Sequence, residues 1–201
     1  MKILHCTDLH FSTSAINWIE EHWRNYDVVC LTGDFLDQRV DSELSVEEQV
    51  NTYLAWFGSI DRPLFVCSGN HDYFEGSLMW LRSNIGFYGD GSITEINGIR
   101  FGCIGYETTD FNRYQLCDVV LYHVPPKGTS CANGSRKDFG CPEIRRALRL
   151  GDFSPQYVLC GHVHLPLKNA IRLKSTIVVN AGGNHTNNRA SFAEIEIKEQ
   201  K

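Results

Sequence analysis

The sequence predicts an α/β fold whose sheet is mostly parallel and becomes antiparallel in places. In the first half, short apolar runs of strand length alternate with longer segments of helical periodicity, as in βαβ units. In the second half, two apolar runs flank Asn97-Gly98, a dipeptide that strongly favours a two-residue hairpin turn. The 201 residues and 42% hydrophobic composition suit one compact domain over residues 1–201.

The first half contains three predicted strands and two predicted helices. The second helix begins after Ser45, and Glu48 follows three residues later at the spacing of a capping box. Its apolar residues recur at helical period, so one face should pack on the sheet. The predicted elements are strand Lys2–Cys6, helix Ala15–Arg24, strand Val28–Thr32, helix Val46–Phe57 and strand Leu64–Cys67.

The second half begins with the hairpin and closes with three strands. A stretch rich in Gly, Pro, Ser and Lys, Pro125–Gly140, is predicted to be a loop. The other elements are strands Ile93–Ile96, Ile99–Ile104 and Val119–Tyr122, helix Pro142–Leu150, and strands Tyr157–Cys160, Leu167–Leu173, Thr176–Asn180 and Ser191–Ile197.

Net charge indicates which ligands the protein can attract, and cysteine usage indicates the redox state of its compartment. A net charge of -5 gives no general attraction to polyanions, so nucleic acid is a possible but disfavoured ligand. No stretch has the pattern of a signal peptide or a membrane span, and we expect a cytoplasmic protein without a membrane partner. The cysteines at 30, 67, 103 and 160 lie within strand-like runs, which predicts buried, reduced thiols.

Five short polar clusters follow strand-like runs. In an α/β sheet, the carboxyl ends of the strands are where side chains converge to bind ligands. Carboxylate oxygens and imidazole nitrogens are ligands of divalent metals, and a pair of metals needs about seven such groups. The clusters are Asp8-Leu9-His10, Gly33-Asp34, Gly69-Asn70-His71-Asp72, His123 and Gly161-His162-Val163-His164.

Each cluster also has a plainer interpretation. Asp8, Asp34 and Asn70 could cap helices or form turns after strands, and His123 could be a core histidine. Their combination with the paired histidines at 162 and 164 favours metal binding. The glycines at 33, 69 and 161 are expected to permit the backbone conformations of sharp turns.

The ordered motifs resemble the calcineurin-like metallophosphoesterase superfamily, whose pattern is Asp-x-His, Gly-Asp-x-x-Asp, Gly-Asn-His-Asp/Glu, His and Gly-His-x-His. The resemblance spans Asp8 to His164. It implies a two-sheet mixed β-sandwich flanked by helices, with four layers in the order α/β/β/α. It also implies a pair of divalent metal ions, for which manganese, iron, zinc and nickel all remain open.

The resemblance implies a ligand set for each ion. One ion would be held by Asp8, His10, Asp34 and His164. The other would be held by Asp34, Asn70, His123 and His162, so that Asp34 bridges the two ions.

The resemblance also suggests a proton donor. His71 lies beside a ligand and looks like the general acid, or an imidazole that contacts phosphate. Asp37 or Asp72 could hold its ring and stabilise the imidazolium form. We favour Asp37 for that role.

Branch-specific residues favour a phosphodiesterase acting on small phosphate esters. Ser/Thr protein phosphatases continue with Asp-Arg-Gly, whereas this chain has Asp37-Gln38-Arg39. Purple acid phosphatases have tyrosine at the position of Asp37. Small bacterial and phage-type members, often phosphodiesterases, are more similar. The alternatives are a phosphomonoesterase or protein phosphatase, and a non-catalytic interaction scaffold of the same fold.

Several other residues have open roles. Tyr106, Phe111 and Tyr114 could stack on a base or pack in the core. We expect His5 and His22 to be structural and leave His185 open. Basic residues that could attract phosphate, or form a solvated surface, are Lys127, Arg136, Lys137, Arg145, Arg146 and Arg149.

Overall fold

The computed structural model describes residues 1–84, 86–134, 137–151, 153–183 and 189–198, so His185 and Arg136 lie outside the described residues. The strands are β1 (Lys2–Cys6), β2 (Val28–Thr32), β3 (Leu64–Cys67), β4 (Ile93–Ile96), β5 (Ile99–Ile104), β6 (Val119–Tyr122), β7 (Tyr157–Cys160), β8 (Ala170–Leu173), β9 (Thr176–Asn180) and β10 (Phe192–Glu196). The α-helices are α1 (Thr13–His22), α2 (Val46–Ser59) and α3 (Pro142–Leu150).

The strands form two sheets. The first has the order β10-β1-β2-β3, in which β1, β2 and β3 are parallel and β10 is antiparallel. The second has the order β4-β5-β6-β7-β9-β8, with a parallel centre and antiparallel strands at both edges. The predicted two-sheet arrangement and the Asn97-Gly98 hairpin between β4 and β5 are confirmed.

Alternate residues of each central strand face different cores, which makes the molecule layered. On β2, Val28 and Cys30 point between the two sheets, while Val29 and Leu31 point towards α1 and α2. Because both faces of these strands are covered, their sequences are almost entirely apolar. The second sheet is covered in the same way by α3, through Ile144 and other residues. The predicted four-layer order is confirmed.

Element boundaries differ from the predictions by a few residues. Helix α1 begins at Thr13, two residues early, because the side chain of Ser12 caps it. Helix α2 has the predicted capping box and continues two residues further, to Ser59. Strand β8 begins at Ala170 because the N–H groups of Leu167 and Lys168 donate to loop carbonyls rather than to a strand.

The cysteine prediction is confirmed. All eight thiols are free, and seven of them are buried. Within the described ranges, no helix is long and apolar enough to cross a bilayer.

Candidate metal centre

The five polar clusters converge at one edge of the sandwich. Asp8, Asp34 and Asn70 follow the carboxyl ends of the parallel strands β1, β2 and β3. His123 and His162 follow the carboxyl ends of the parallel strands β6 and β7 in the facing sheet. The strand-end positions predict delivery to the same rim of one sheet, but the clusters come from two facing sheets, whose strand ends meet at one edge of the sandwich.

Asp8, His10 and His164 form the first group of candidate ligands. Their ligand atoms all lie within 4.8 Å of one another. His164 Nε2 is 3.2 Å from Asp8 Oδ1 and 3.3 Å from His10 Nε2. One carboxylate oxygen and two imidazole nitrogens therefore face a common point, which is the donor chemistry of a divalent metal site.

Asp34, His123 and His162 form the second group, and Asn70 lies among them. His123 Nε2 is 3.2 Å from both Asp34 Oδ2 and Asn70 Oδ1. On His162 the nitrogen close to this group is Nδ1, which lies 2.8 Å from Asn70 Oδ1. An amide oxygen, a carboxylate oxygen and two imidazoles meet here.

Asp34 lies between the two groups. Its Oδ2 is 3.2 Å from His123 Nε2 in the second group and 3.9 Å from His10 Nε2 in the first. Its Oδ1 accepts a hydrogen bond from the backbone N–H of His71 at 2.8 Å. One oxygen is thereby held by the backbone, and the other is shared by both groups.

The surrounding contacts orient the donor atoms. Asp8 Oδ2 accepts hydrogen bonds from the Thr7 hydroxyl and the His162 N–H, and the buried Asp8 Oδ1 faces His164 Nε2 at 3.2 Å. His123 Nδ1 lies 2.7 Å from the carbonyl oxygen of Thr32, which favours a proton on Nδ1 and directs Nε2 into the site. A buried carboxylate oxygen directed at an imidazole nitrogen and a tautomer fixed in this way fit a metal ion.

Burial and the neighbouring Asp34 act in opposite directions on the pKa of His123. Burial disfavours the imidazolium form of His123, but Asp34 outweighs it and raises the pKa of His123 to about 10. Burial lowers the pKa of His162 to about 4, with His123 adding to the effect. Because a ligating imidazole nitrogen must carry a free lone pair, a metal ion would compete with a proton for His123 Nε2.

The backbone around the site is strained. Asp8, His10, Asp34 and His162 all have positive φ, between 41° and 66°. Non-glycine residues adopt this region rarely, and such strain is concentrated at functional sites. Four of the candidate ligands are thus held in costly conformations by the packing around them.

The glycines at 33, 69 and 161 are expected from the sequence to permit sharp turns through unusual backbone conformations, and only one of them does so. Of the three, Gly33 alone has positive φ, at 78°. Gly69 and Gly161 are needed for space instead, because a Cβ at Gly69 would collide with Asp34 and one at Gly161 with Thr7 and Asp8. These two turns therefore require glycine because the loops after the strands approach each other so closely.

Asp72 has a different role from the one expected. Its Oδ2 accepts from the N–H groups of Asp34 and Gly69 at 2.8 and 2.7 Å, and its Oδ1 from Phe35 and Leu36 at 2.6 and 3.3 Å. Burial, with a contribution from Asp34, raises the pKa of Asp72 to about 7. Its carboxylate joins the two loops that carry Asp34 and Asn70, and among the described residues it does not contact the His71 ring.

Asp37 also differs from the expectation. Its carboxylate is bound in a bidentate manner by Arg39, with Nη2 to Oδ2 at 2.7 Å and Nε to Oδ1 at 2.9 Å. Hydrogen bonding from Arg39 lowers the pKa of Asp37. The favoured pairing of Asp37 with His71 is thus replaced by a pairing within the Asp37-Gln38-Arg39 loop, because the neighbouring guanidinium is the stronger partner.

His71 is exposed at the mouth of the site. Its ring centroid is 5.1 Å from that of His10. A cavity of about 810 Å³ adjoins both rings and is lined by His10, Phe11, Ser12, Asp37, Gln38, Arg39, His71 and His164. The imidazole can therefore reach a ligand in this cavity.

Two residues near the site are missed by reasoning from the sequence. Arg39 lines the cavity with 76% of its side chain exposed. Phe139 lies 6.4 Å from the His162 ring, between centroids. The position of Arg39 two residues after Asp37 is a usable signal, but Phe139 belongs to a polar loop whose path depends on tertiary hydrogen bonds.

His5 and His22 lie outside the two groups. His5 is buried in β1, with Nε2 2.9 Å from the Thr32 hydroxyl. His22 ends α1 and places Nδ1 2.7 Å from the carbonyl oxygen of Trp18. Both make structural contacts, as expected.

Asp90 supports the loop after β3 and gives a pH-dependent prediction. It accepts hydrogen bonds from the Ser68 N–H and hydroxyl at 2.9 and 2.6 Å, and burial raises its pKa to about 6. Because the pKa of Asp90 is higher in the folded than in the unfolded protein, its protonated form stabilises the fold. This stabilisation is complete below the unfolded-state pKa and is lost as the pH rises through about 6. The Asp90→Asn variant lacks this titrating group and so avoids the loss. Its free energy of unfolding minus that of wild type should therefore increase by about 2 kcal/mol as the pH is raised from about 4.5 to about 7.5.

Urea unfolding in EDTA at several pH values measures this difference. Asp61→Asn is the matched control, since its side chain is 96% exposed and should leave the pH dependence unchanged. An identical pH dependence in wild type and Asp90→Asn would contradict the prediction.

Comparisons with known proteins agree with the fold and show the family. The family model for calcineurin-like phosphoesterases matches residues 1–166. No curated protein matches this chain by sequence.

Three solved structures show the same fold. The TT1561 protein of Thermus thermophilus is 12% identical, with a TM-score of 0.65 over 90% of this chain and 88% of that one. A predicted phosphoesterase from Streptococcus pneumoniae is 16% identical, with a TM-score of 0.51 over 98% and 83%. Purple acid phosphatase from yellow lupin is 17% identical, with a TM-score of 0.55 over 96% and 45%. Because the family model covers most of the chain, the protein belongs to the calcineurin-like phosphoesterases, which are metal-dependent hydrolases of phosphate esters.

Proposed function

We propose that the protein is a dinuclear phosphodiesterase acting on small phosphate esters. Asp8, His10, Asp34 and His164 would hold one divalent ion, and Asp34, Asn70, His123 and His162 the other. The observation that carries this proposal is the shared Oδ2 of Asp34 between the two groups of donors. When bound, two such ions supply Lewis-acid activation of the phosphoryl group and of water.

His71 is our proposed proton donor to the leaving oxygen. Its backbone N–H is bound to Asp34 Oδ1, which places its exposed imidazole beside the ligand groups and on the cavity wall. A positioned imidazole typically accelerates such a step by about 10² to 10⁴. Asp72 would act as a positioning residue through the two loops, and Asp37 through Arg39 on the cavity wall.

The prediction for His71 depends on the leaving group. His71→Ala should lower kcat for an alkyl phosphodiester by about 100-fold, because an alkoxide needs a proton to depart. The kcat for a 4-nitrophenyl ester should change by less than about threefold, since that phenolate leaves unprotonated. His22→Ala is the histidine control. Equal losses on both esters would remove the proton-donor role.

The shape of the site supports a diester preference. The cavity of about 810 Å³ beside His10 and His71 is broad and open to solvent. An open site accommodates a second ester substituent better than an enclosed pocket shaped for a monoester.

One observation favours the monoesterase alternative. Arg39 presents an exposed guanidinium on the wall of the same cavity, and a guanidinium binds a dianionic phosphoryl group well. The scaffold alternative is less favoured, since that class loses metal ligands and all seven candidate ligands are present here.

The deciding experiment compares bis(4-nitrophenyl) phosphate with 4-nitrophenyl phosphate on purified protein loaded with manganese, iron, zinc or nickel. We expect kcat/KM for the diester to exceed that for the monoester by about tenfold or more. A monoester preference would overturn the diester assignment, and no turnover with any metal would favour the scaffold.

Because seven thiols are buried and all are free, as is usual in reducing compartments, we also infer a cytoplasmic location.

A further inference from the structure

Two aromatic side chains flank the second ligand group. The ring centroid of Tyr106 is 6.4 Å from that of His123, and the centroid of Phe139 is 6.4 Å from that of His162. The two histidine rings are themselves 5.2 Å apart. One aromatic ring therefore lies beside each of these two candidate ligands.

Tyr106 and Phe139 are held in place by their backbones. Tyr106 follows β5, and its N–H donates to the Ser68 hydroxyl at 2.9 Å. The Phe139 N–H donates to the carbonyl of Ala132 at 2.9 Å. These hydrogen bonds fix the backbone of both residues, which lowers the ordering cost when a ligand binds beside them.

Exposure distinguishes these two rings from the neighbouring aromatics. Phe111 and Tyr114 are 4% and 2% exposed, so the core interpretation holds for them. By contrast, Phe139 is 44% exposed and Tyr106 is half-buried, so neither ring is fully packed in the core. Lys137 Nζ lies over the Phe139 ring at 5.0 Å from its centroid, and the remaining exposed ring surface of Phe139 and of Tyr106 is available for stacking.

Space for a substituent lies beyond Tyr106. A cavity of about 730 Å³ is lined by Tyr106 together with Ser92, Arg82 and Arg113. Its size falls in the range of small-molecule sites, which are about 300 to 1,000 Å³. Tyr106 lines this cavity and also lies beside His123.

We propose that Tyr106 and Phe139 form a specificity subsite for an aromatic ester substituent, such as a nucleobase or aryl ring, of a small phosphodiester. This inference rests on the proposed function and names the class of substrate. Stacking on such side chains depends on the ring face rather than on particular hydrogen bonds, so any flat aromatic group should be accepted.

Two esters with the same leaving group test the subsite. Phenyl 4-nitrophenyl phosphate and ethyl 4-nitrophenyl phosphate differ only in the retained substituent. In the double variant Tyr106→Leu/Phe139→Leu, we expect KM for the phenyl ester to rise about tenfold, with kcat and the ethyl ester changed less than about twofold. Leu150→Ala, an exposed apolar residue on α3, is the control. Equal changes for both esters, or none, would overturn the subsite.

A binding measurement separates the subsite from the proposed function. Calorimetric titration of manganese-loaded protein with phenylphosphonate and ethylphosphonate should show about tenfold tighter binding of phenylphosphonate, lost in the double variant. If turnover is absent but this difference is found, the phosphodiesterase function fails and the subsite stands. If wild type binds both phosphonates equally, the subsite is wrong whatever the turnover.

Discussion

Asp34→Asn is expected to abolish turnover, with kcat/KM lowered by at least about 10³, while the protein remains folded. The amide oxygen would keep the hydrogen bond from the His71 N–H, which leaves the amide nitrogen in the place of Oδ2. That nitrogen has no lone pair for a metal, and it faces both His10 and His123. A single substitution therefore removes the donor shared by both groups.

Metal content per chain and circular dichroism accompany the activity assay. We expect bound manganese to fall from two ions to fewer than one, with an unchanged spectrum. Asp61→Asn, a substitution of the same type at an exposed position, should retain both ions and full activity. A folded Asp34→Asn protein with two ions and wild-type turnover would refute the bridging role.

Asp72→Asn is expected to destabilise the metal-free protein by about 3 kcal/mol, although it is nearly isosteric. Each oxygen of Asp72 accepts two backbone N–H groups, so an amide NH₂ in either orientation would face two donors. The loops that carry Asp34 and Asn70 would then separate. Metal affinity and turnover should fall together with stability.

Urea unfolding in EDTA at about pH 8 isolates this effect, because metal binding would otherwise add its own stabilisation. Asp37→Asn is the matched control, since among the described residues the Asp37 carboxylate accepts hydrogen bonds from Arg39 alone, whose side chain is 76% exposed, and the change should cost less than about 1 kcal/mol. If the two variants are equally stable, Asp72 does not join the loops in the way that its hydrogen bonds indicate.

Most of the fold follows from local patterns in the sequence. Strands such as β2 are apolar at nearly every position because both faces are buried, and the start of α2 is indicated by Ser45 and Glu48. The ends of the elements are less predictable. Ser12 begins α1 early, and β8 is shortened by hydrogen bonds to a loop far away in sequence.

Local sequence is enough to identify the residues that follow the parallel strands, and strand direction then brings all seven candidate ligands to one rim. Other features of the site emerge only when the loops are packed together. They are the partners of Asp72 and Asp37, the need for glycine at position 69, and the placement of Phe139 beside His162. Apolar periodicity and turn signals are encoded between near neighbours in sequence. A hydrogen bond or close approach between two loops depends on how the sheets pack, which no local pattern records.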